Sequence, residues 1–123
     1  MAAPNLINAT TIYGKVVGVN LSNTANFTIV DNASSSGKCL KINTLNVSNY
    51  TSTASVVTVK LYDNAALGGN SFNIVGSVSV PANSTLMVID KSTVYYIPEN
   101  MSVGASSTTG NAVHITCSYE EIA

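Results

Sequence analysis

Apolar residues recur along this chain with a period of two almost everywhere, the signature of strands with one buried face. In residues 38–49, Leu40 and Ile42 alternate with Lys41 and Asn43, and then Leu45 and Val47 alternate with Thr44, Asn46 and Ser48. The apolar set changes parity once, between Ile42 and Leu45, with no turn residue to explain it. That predicts a β-bulge or a strand passing from one packing surface to another. Residues 11–20 read as a first strand, with Ile12, Val17 and Val19 apolar and Gly14 and Gly18 marking bends or close approaches. Residues 26–31 form a short second strand. In residues 56–63, Val57, Val59 and Leu61 oppose Thr58, Lys60 and Tyr62. Phe72, Ile74, Val78 and Val80 mark a strand that slips at Gly76 and ends at Pro81, which has no N–H for a ladder. Residues 84–90 are apolar on both faces, as in a central strand covered on two sides. Two short strands, 94–98 and 101–106, flank Pro98-Glu99-Asn100. In residues 112–122, Val113, Ile115, Cys117 and Tyr119 share one face against His114, Thr116 and Ser118.

No segment carries an apolar period of 3.6, so no long helix is expected. About eight short strands joined by Gly, Asn, Ser and Pro turns predict an all-β chain, an antiparallel β-sandwich or jelly roll. In that setting the 38–49 stretch reads as a bent strand serving both sheets, with Leu40, Ile42, Leu45 and Val47 in the core. Residues 1–10, with Pro4, read as an N-terminal arm, and residues 11–123 as a single sandwich domain. Residues 21–25, 50–55 and 64–70 are loops, the last with Leu67 as its anchor.

Composition narrows the function. Charged residues make up 9% of the 123 positions and the net charge is −1, against about a quarter charged in an ordinary soluble domain. Neutral Asn, Ser and Thr must therefore cover the surface, and little self-repulsion keeps copies apart. The scattered lysines form no basic stripe, which argues against nucleic acid and against electrostatic membrane attachment. No apolar run reaches the roughly 20 residues of a membrane span, and the N-terminus lacks the plan of a signal peptide. A cytoplasmic site of synthesis follows.

The chemistry-bearing residues offer no catalytic constellation, cofactor site or metal-ligand spacing. His114, the single histidine, lies on the outward parity of the last strand. Glu120 and Glu121 read as a solvated C-terminal tail. Asp31, Asp63 and Asp90 each sit where a strand meets a loop and fit Asx turns better than a calcium site. Gly68-Gly69 lacks the helix and Lys-Ser/Thr of a phosphate loop. Cys39 and Cys117 either form one disulfide or remain two free thiols, the state a reducing cytoplasm favours; Cys39 has outward parity. The Asn-x-Ser/Thr triplets are what a chain this rich in those residues generates by chance. Six tyrosines outnumber two phenylalanines, as in a half-buried rim or a contact surface. The pair Tyr95-Tyr96 must send one ring to each face of its strand.

Met1-Ala2-Ala3-Pro4-Asn5, Ser36-Gly37-Lys38-Cys39-Leu40-Lys41-Ile42, Val80-Pro81-Ala82-Asn83-Ser84-Thr85-Leu86, Val94-Tyr95-Tyr96-Ile97-Pro98-Glu99-Asn100 and Ser118-Tyr119-Glu120-Glu121-Ile122 together resemble the small β-sandwich structural proteins of tailed bacteriophages, notably those infecting marine cyanobacteria. Where such proteins often carry Gly-Asp in the turn before the penultimate strand, this chain has Glu99-Asn100. The resemblance implies a non-enzymatic virion component present in many copies, a capsid decoration (cement) protein. Its partners would be the major capsid protein and further copies of itself. A tail, neck or baseplate component is the alternative, and a carbohydrate-binding or host-adhesion module a second. Residues 1–8, 21–25 and 63–69 are the contact candidates, with Met1, Pro4, Asn5, Leu6, Leu67, Tyr95 and Tyr96 as named interface positions.

Overall fold

The computed structural model describes residues 6–123. Nine strands follow in order: β1 (Ile12–Asn20), β2 (Phe27–Asn32), β3 (Cys39–Asn49), β4 (Ser55–Asn64), β5 (Gly68–Val80), β6 (Thr85–Ile89), β7 (Tyr95–Ile97), β8 (Met101–Ser107) and β9 (Val113–Ile122). One sheet has the order β1-β9-β3-β6, with β7 also paired to β3, and the other the order β2-β8-β4-β5. All pairings are antiparallel. The chain is in effect one long hairpin with β4 and β5 at its tip. Its successive rungs, β3 with β6 and β7, β2 with β8, and β1 with β9, fall in alternate sheets. That is the strand order of a jelly roll, so the all-β sandwich read from the sequence is the fold. Among the described residues no helix is long and apolar enough to cross a membrane.

The inward parity of each strand supplies the core. Ile42, Leu45, Val47, Val57, Val59, Ile89, Ile97, Val103, Val113, Ile115 and Cys117 are fully enclosed. Strand β3 shows how the parity change is absorbed. Its register against β9 shifts between Ile42 and Thr44, so Asn43 is the extra residue of a bulge and both apolar pairs face inward. The expectation that this strand serves both sheets is corrected. It stays in one sheet, with β9 along one side, while β7 takes its first half and β6 its second half on the other. One bulged residue reverses the facing without breaking either ladder.

The second correction is β6, expected to be central and covered twice. It lies at the sheet edge, and Met87 on its outer face is 58% exposed. Leu45 faces Ile89 and Asn46 faces Met87, with a register shift between them, which makes Val88 a bulge. The continuous apolar run therefore reflects a bulge that turns neighbouring residues inward, not burial on both faces. A third concerns residues 21–25, read as a polar loop. Leu21 is fully buried, its N–H donates to the Val113 carbonyl at 3.0 Å and its carbonyl accepts from Asn111 N–H at 2.9 Å, so it closes one end of the sandwich. Likewise Cys39, expected outward, is buried.

Two buried asparagines tie the sheets together. Asn32 of β2 donates its amide to the carbonyls of Lys38 and Ile97, both at 2.9 Å, and its oxygen accepts from Ser36. Asn49 of β3 donates to the carbonyls of Thr53 and Val80 at 2.8 and 3.0 Å, and accepts from the Thr51 N–H and hydroxyl. Each bridges one sheet to an element of the other with its polar atoms satisfied, the condition under which burial of an amide is tolerated. Leu45→Ala, at a fully buried site on a strand paired to three others, is expected to lower unfolding stability by about 2–5 kcal/mol, read as a shift of the urea midpoint at unchanged m-value.

Candidate interaction site

Among the described residues five strands, β1, β2, β5, β6 and the three-residue β7, lie at sheet edges or partly so, and they are not alike. The edge strand β2 carries a register shift between Thr28 and Val30, β6 the bulge at Val88, and β5 three register shifts together with a positive φ at Ser77. Bulges twist an edge away from further pairing. Strand β1 has none: all nine of its residues pair with β9 in unbroken register, and among the described residues no strand pairs with its other side. Its alternation sends Val17 and Val19 toward the core and Ile12 and Val16, 59 and 75% exposed, to the outer face, while Tyr13, on the inward parity at the start of the strand, is 57% exposed. Its one charge, Lys15, is drawn onto Glu121 of β9 at 3.3 Å. The result is a long, regular, largely apolar edge with its gatekeeper charge neutralised.

Glu120 and Glu121, expected in a solvated tail, are instead strand residues with committed carboxylates. Glu121 bridges Lys38 at 3.0 Å and Lys15 at 3.3 Å. Glu120 accepts from the Asn43 amide at 2.9 Å and lies 4.0 Å from Lys41. The strand continues to Ile122 because the Ala123 carbonyl accepts from the Thr10 and Thr11 N–H groups. The Lys38 hydrogen bond holds the Glu121 carboxyl below the ordinary glutamate range, with Lys15 adding to it and partial burial opposing. Burial pushes the Cys39 thiol up and the Cys117 thiol up to about 12. Both cysteines are free: Cys39 is opposite Ile122 and Cys117 opposite Leu45, five residues apart along β9.

On the outer face of the first sheet, a shallow groove of about 320 Å³ is lined by Gly18, Val19, Asn20, His114, Ile115 and Thr116. His114, outward as the alternation required, stacks on Tyr50 with ring centroids 4.1 Å apart. The Tyr50 hydroxyl donates to Asn20 Oδ1 at 3.1 Å, and Asn20 Nδ2 donates to Asn111 Oδ1 at 3.2 Å. Sequence reasoning weighed His114 alone and missed this cluster. Its signal was the outward parity shared by Gly18, Asn20, His114 and Tyr50, which gains meaning only once β1, β9 and β3 are known to be neighbours.

The named interface positions are dispersed. Met1, Pro4 and Asn5 lie outside the described residues. Leu6 is exposed, Tyr96 is exposed beside Lys41, and Tyr95 packs on the core, so the pair divides between faces as expected. Leu67 folds back on its own sheet. The turn at the tip of β4 and β5 places Ala66 and Leu67 at φ 56° and 58°, a left-handed conformation that suits Asn-Gly better. Neighbours hold it: Ala66 N–H donates to Asp31 Oδ1 at 2.8 Å, Leu67 N–H to Ser102 Oγ at 2.9 Å, and Ala65 N–H to Asn100 Oδ1 at 3.2 Å. The Leu67 side chain fills the space over Gly104, where an added Cβ would sit 2.7 Å from Leu67 Cδ2 and 3.1 Å from the Phe27 carbonyl oxygen. Asp63 accepts from the Asn70 N–H and Asp90 from Ser92 and Thr93. Each of the three loop aspartates thus organises a turn. Among the described residues no three His, Cys, Asp or Glu side chains cluster as metal ligands.

Gly104→Ala is expected to displace Leu67 and cost about 1–3 kcal/mol, with Leu67→Ala restoring part of the loss in the double variant; thermal melts of the three proteins check it. A carboxyl whose folded pKa is lowered stabilises the fold above its unfolded pKa and loses that contribution as pH falls through the folded value. Glu121→Gln should therefore destabilise at neutral pH and converge with the parent below the ordinary glutamate range, as read from urea midpoints across an acid titration.

No protein-family model matches the chain, and no curated protein is significantly similar to it. Among solved structures, a chain of the Bacillus endospore appendages, described as a novel family of disulfide-linked pili, superposes with a TM-score of 0.53 at 15% identity, covering 91% of this chain and 88% of that one. A chain of infectious bursal disease virus, Gx strain, superposes at a TM-score of 0.43 and 11% identity, covering 89% of this chain and 33% of that one, a likeness too slight to weigh. At these identities what is shared is the fold.

Proposed function

We propose that this protein is a non-enzymatic structural subunit of a large assembly, and specifically a decoration protein on the outer surface of a phage head. The observation that carries the reading is the β1 edge: nine residues in unbroken register on one side and, among the described residues, no pairing strand on the other, largely apolar side. Such an edge is a template for strand addition. Pairing β1 with β1 of a second copy about a two-fold axis at Val16 sets Gly14 against Gly18 and Val16 against Val16, and makes one continuous sheet of the two subunits. The low charge of the chain lets copies approach closely.

The first eight residues of the N-terminal arm and the exposed part of the turn, residues 22–25, are the parts we assign to the major capsid protein, with residues 11–123 as the docked body. Stabilisation would follow from surface buried across capsomer junctions, so that separating capsomers also means separating the bound subunit. The phage-protein resemblance supports the virion setting. The endospore appendage likeness supports an assembly role by analogy of fold alone. Its disulfide linkage does not carry over, since Cys39 and Cys117 are buried and free.

Val16→Lys leaves the monomer intact, because Val16 is 75% exposed, yet places two like charges opposite each other in the paired edge. The expected result is a self-associating parent and a monomeric variant by sedimentation, with fewer variant copies retained on purified particles. A parent that is monomeric at high concentration would sink the edge-pairing account. Copy number by quantitative mass spectrometry separates the placements: hundreds per particle indicate the head, a few dozen or fewer the neck, baseplate or tail.

A further inference from the structure

The groove beside His114 lies on the outer face of the first sheet, and its reading does not rest on the assembly role. We propose that this groove is a binding site for a neutral saccharide, with one pyranose ring seated over Gly18 and against the His114 imidazole.

The floor comes from a missing side chain. Gly18 sits on the outward parity of β1 opposite Thr116, and a Cβ built there meets nothing within 4 Å. The depression is therefore open space, and no neighbouring packing demands it. The wall is aromatic and held in place. His114 stacks on Tyr50, Tyr50 is fixed by its hydroxyl on Asn20, and Asn20 by Asn111, so little side-chain freedom remains to be lost when a ligand arrives.

The chemistry of the lining selects the ligand class. None of the six lining residues is acidic, Lys or Arg, so a phosphate or carboxylate would find no fixed counter-charge. What the groove does present is the His114 imidazole, whose other contact is the tilted Tyr50 ring, together with the Thr116 hydroxyl and the remaining amide hydrogen of Asn20. An apolar C–H face rimmed with hydroxyls matches that combination, and this is the surface of a pyranose. At about 320 Å³ the groove is at the small end of the ~300–1,000 Å³ range of ligand sites. It suits one or two sugar residues of a longer chain, with affinity in the millimolar range for a single unit.

The test is a ¹H–¹⁵N NMR titration of the full chain with glucose, galactose, mannose, N-acetylglucosamine and their disaccharides, with inorganic phosphate in parallel. Saturable shifts confined to the amides of Gly18, Asn20, His114 and Thr116 are expected for at least one sugar and none for phosphate. Gly18→Val fills the floor and should abolish them while leaving the melting temperature within a few degrees of the parent. His114→Ala should weaken binding at least about tenfold. If Gly18→Val does not fold, Thr116→Val and His114→Ala decide the matter. Absence of saturable shifts with every sugar, shifts centred elsewhere, equal shifts with phosphate, or binding indifferent to the groove variants would each overturn the assignment.

Discussion

The antiparallel ladder between β3 and β9 is the contact on which the rest depends. It runs from Cys39 opposite Ile122 to Asn49 opposite Val113, joining positions more than 60 residues apart along the chain. Both strands are paired on their other sides too, β9 to β1 and β3 to β6 and β7. The ladder is thus the centre of one sheet and supplies Leu40, Ile42, Leu45, Val47, Val113, Ile115 and Cys117 to the core. So long a loop must close before any of this burial is gained, which makes the topology demanding to form and cooperative once formed. The Asn43 bulge is what lets the ladder carry apolar residues inward along its whole length.

Around that centre, short-range hydrogen bonds of small polar side chains hold the ends and turns of the sandwich. Asn32 and Asn49 bridge the sheets, Asp31, Ser102 and Asn100 pin the strained turn at Ala66 and Leu67, and Asn20, Tyr50 and His114 order one end of the outer face. Five charged residues, Lys15, Lys38, Lys41, Glu120 and Glu121, gather where β1, β3 and β9 end together, with Glu121 between Lys15 and Lys38. A surface built this way has short-range specificity and weak long-range repulsion, a combination suited to contact with other proteins at close quarters.

The strands were legible because period-two alternation is a local property. The outward placement of His114 and the division of Tyr95 from Tyr96 followed from it. Wrong inferences arose wherever one residue of slippage or one distant neighbour changed the meaning of a local pattern. Residues 84–90 looked covered on two faces because a bulge at Val88 imitates a doubly buried strand. Leu21 sits in a polar sequence context, yet Val113 and Asn111 capture its backbone and carry its side chain into the core. Glu120 and Glu121 looked like a tail because their lysine partners, Lys15, Lys38 and Lys41, lie some 80 to 105 residues earlier in the chain.

By itself the sequence determined the class of structure: alternation and turn residues leave an all-β sandwich as the way to bury these side chains, and the shortage of charge leaves a neutral surface. Only the tertiary structure decided which strand became the regular open edge, since edge and centre differ in neighbours and not in composition. It also decided that Gly18, Asn20, Tyr50, His114 and Thr116 meet at one groove. Their encounter depends on the order β1-β9-β3, and strand order is set by long-range pairing that no local period records.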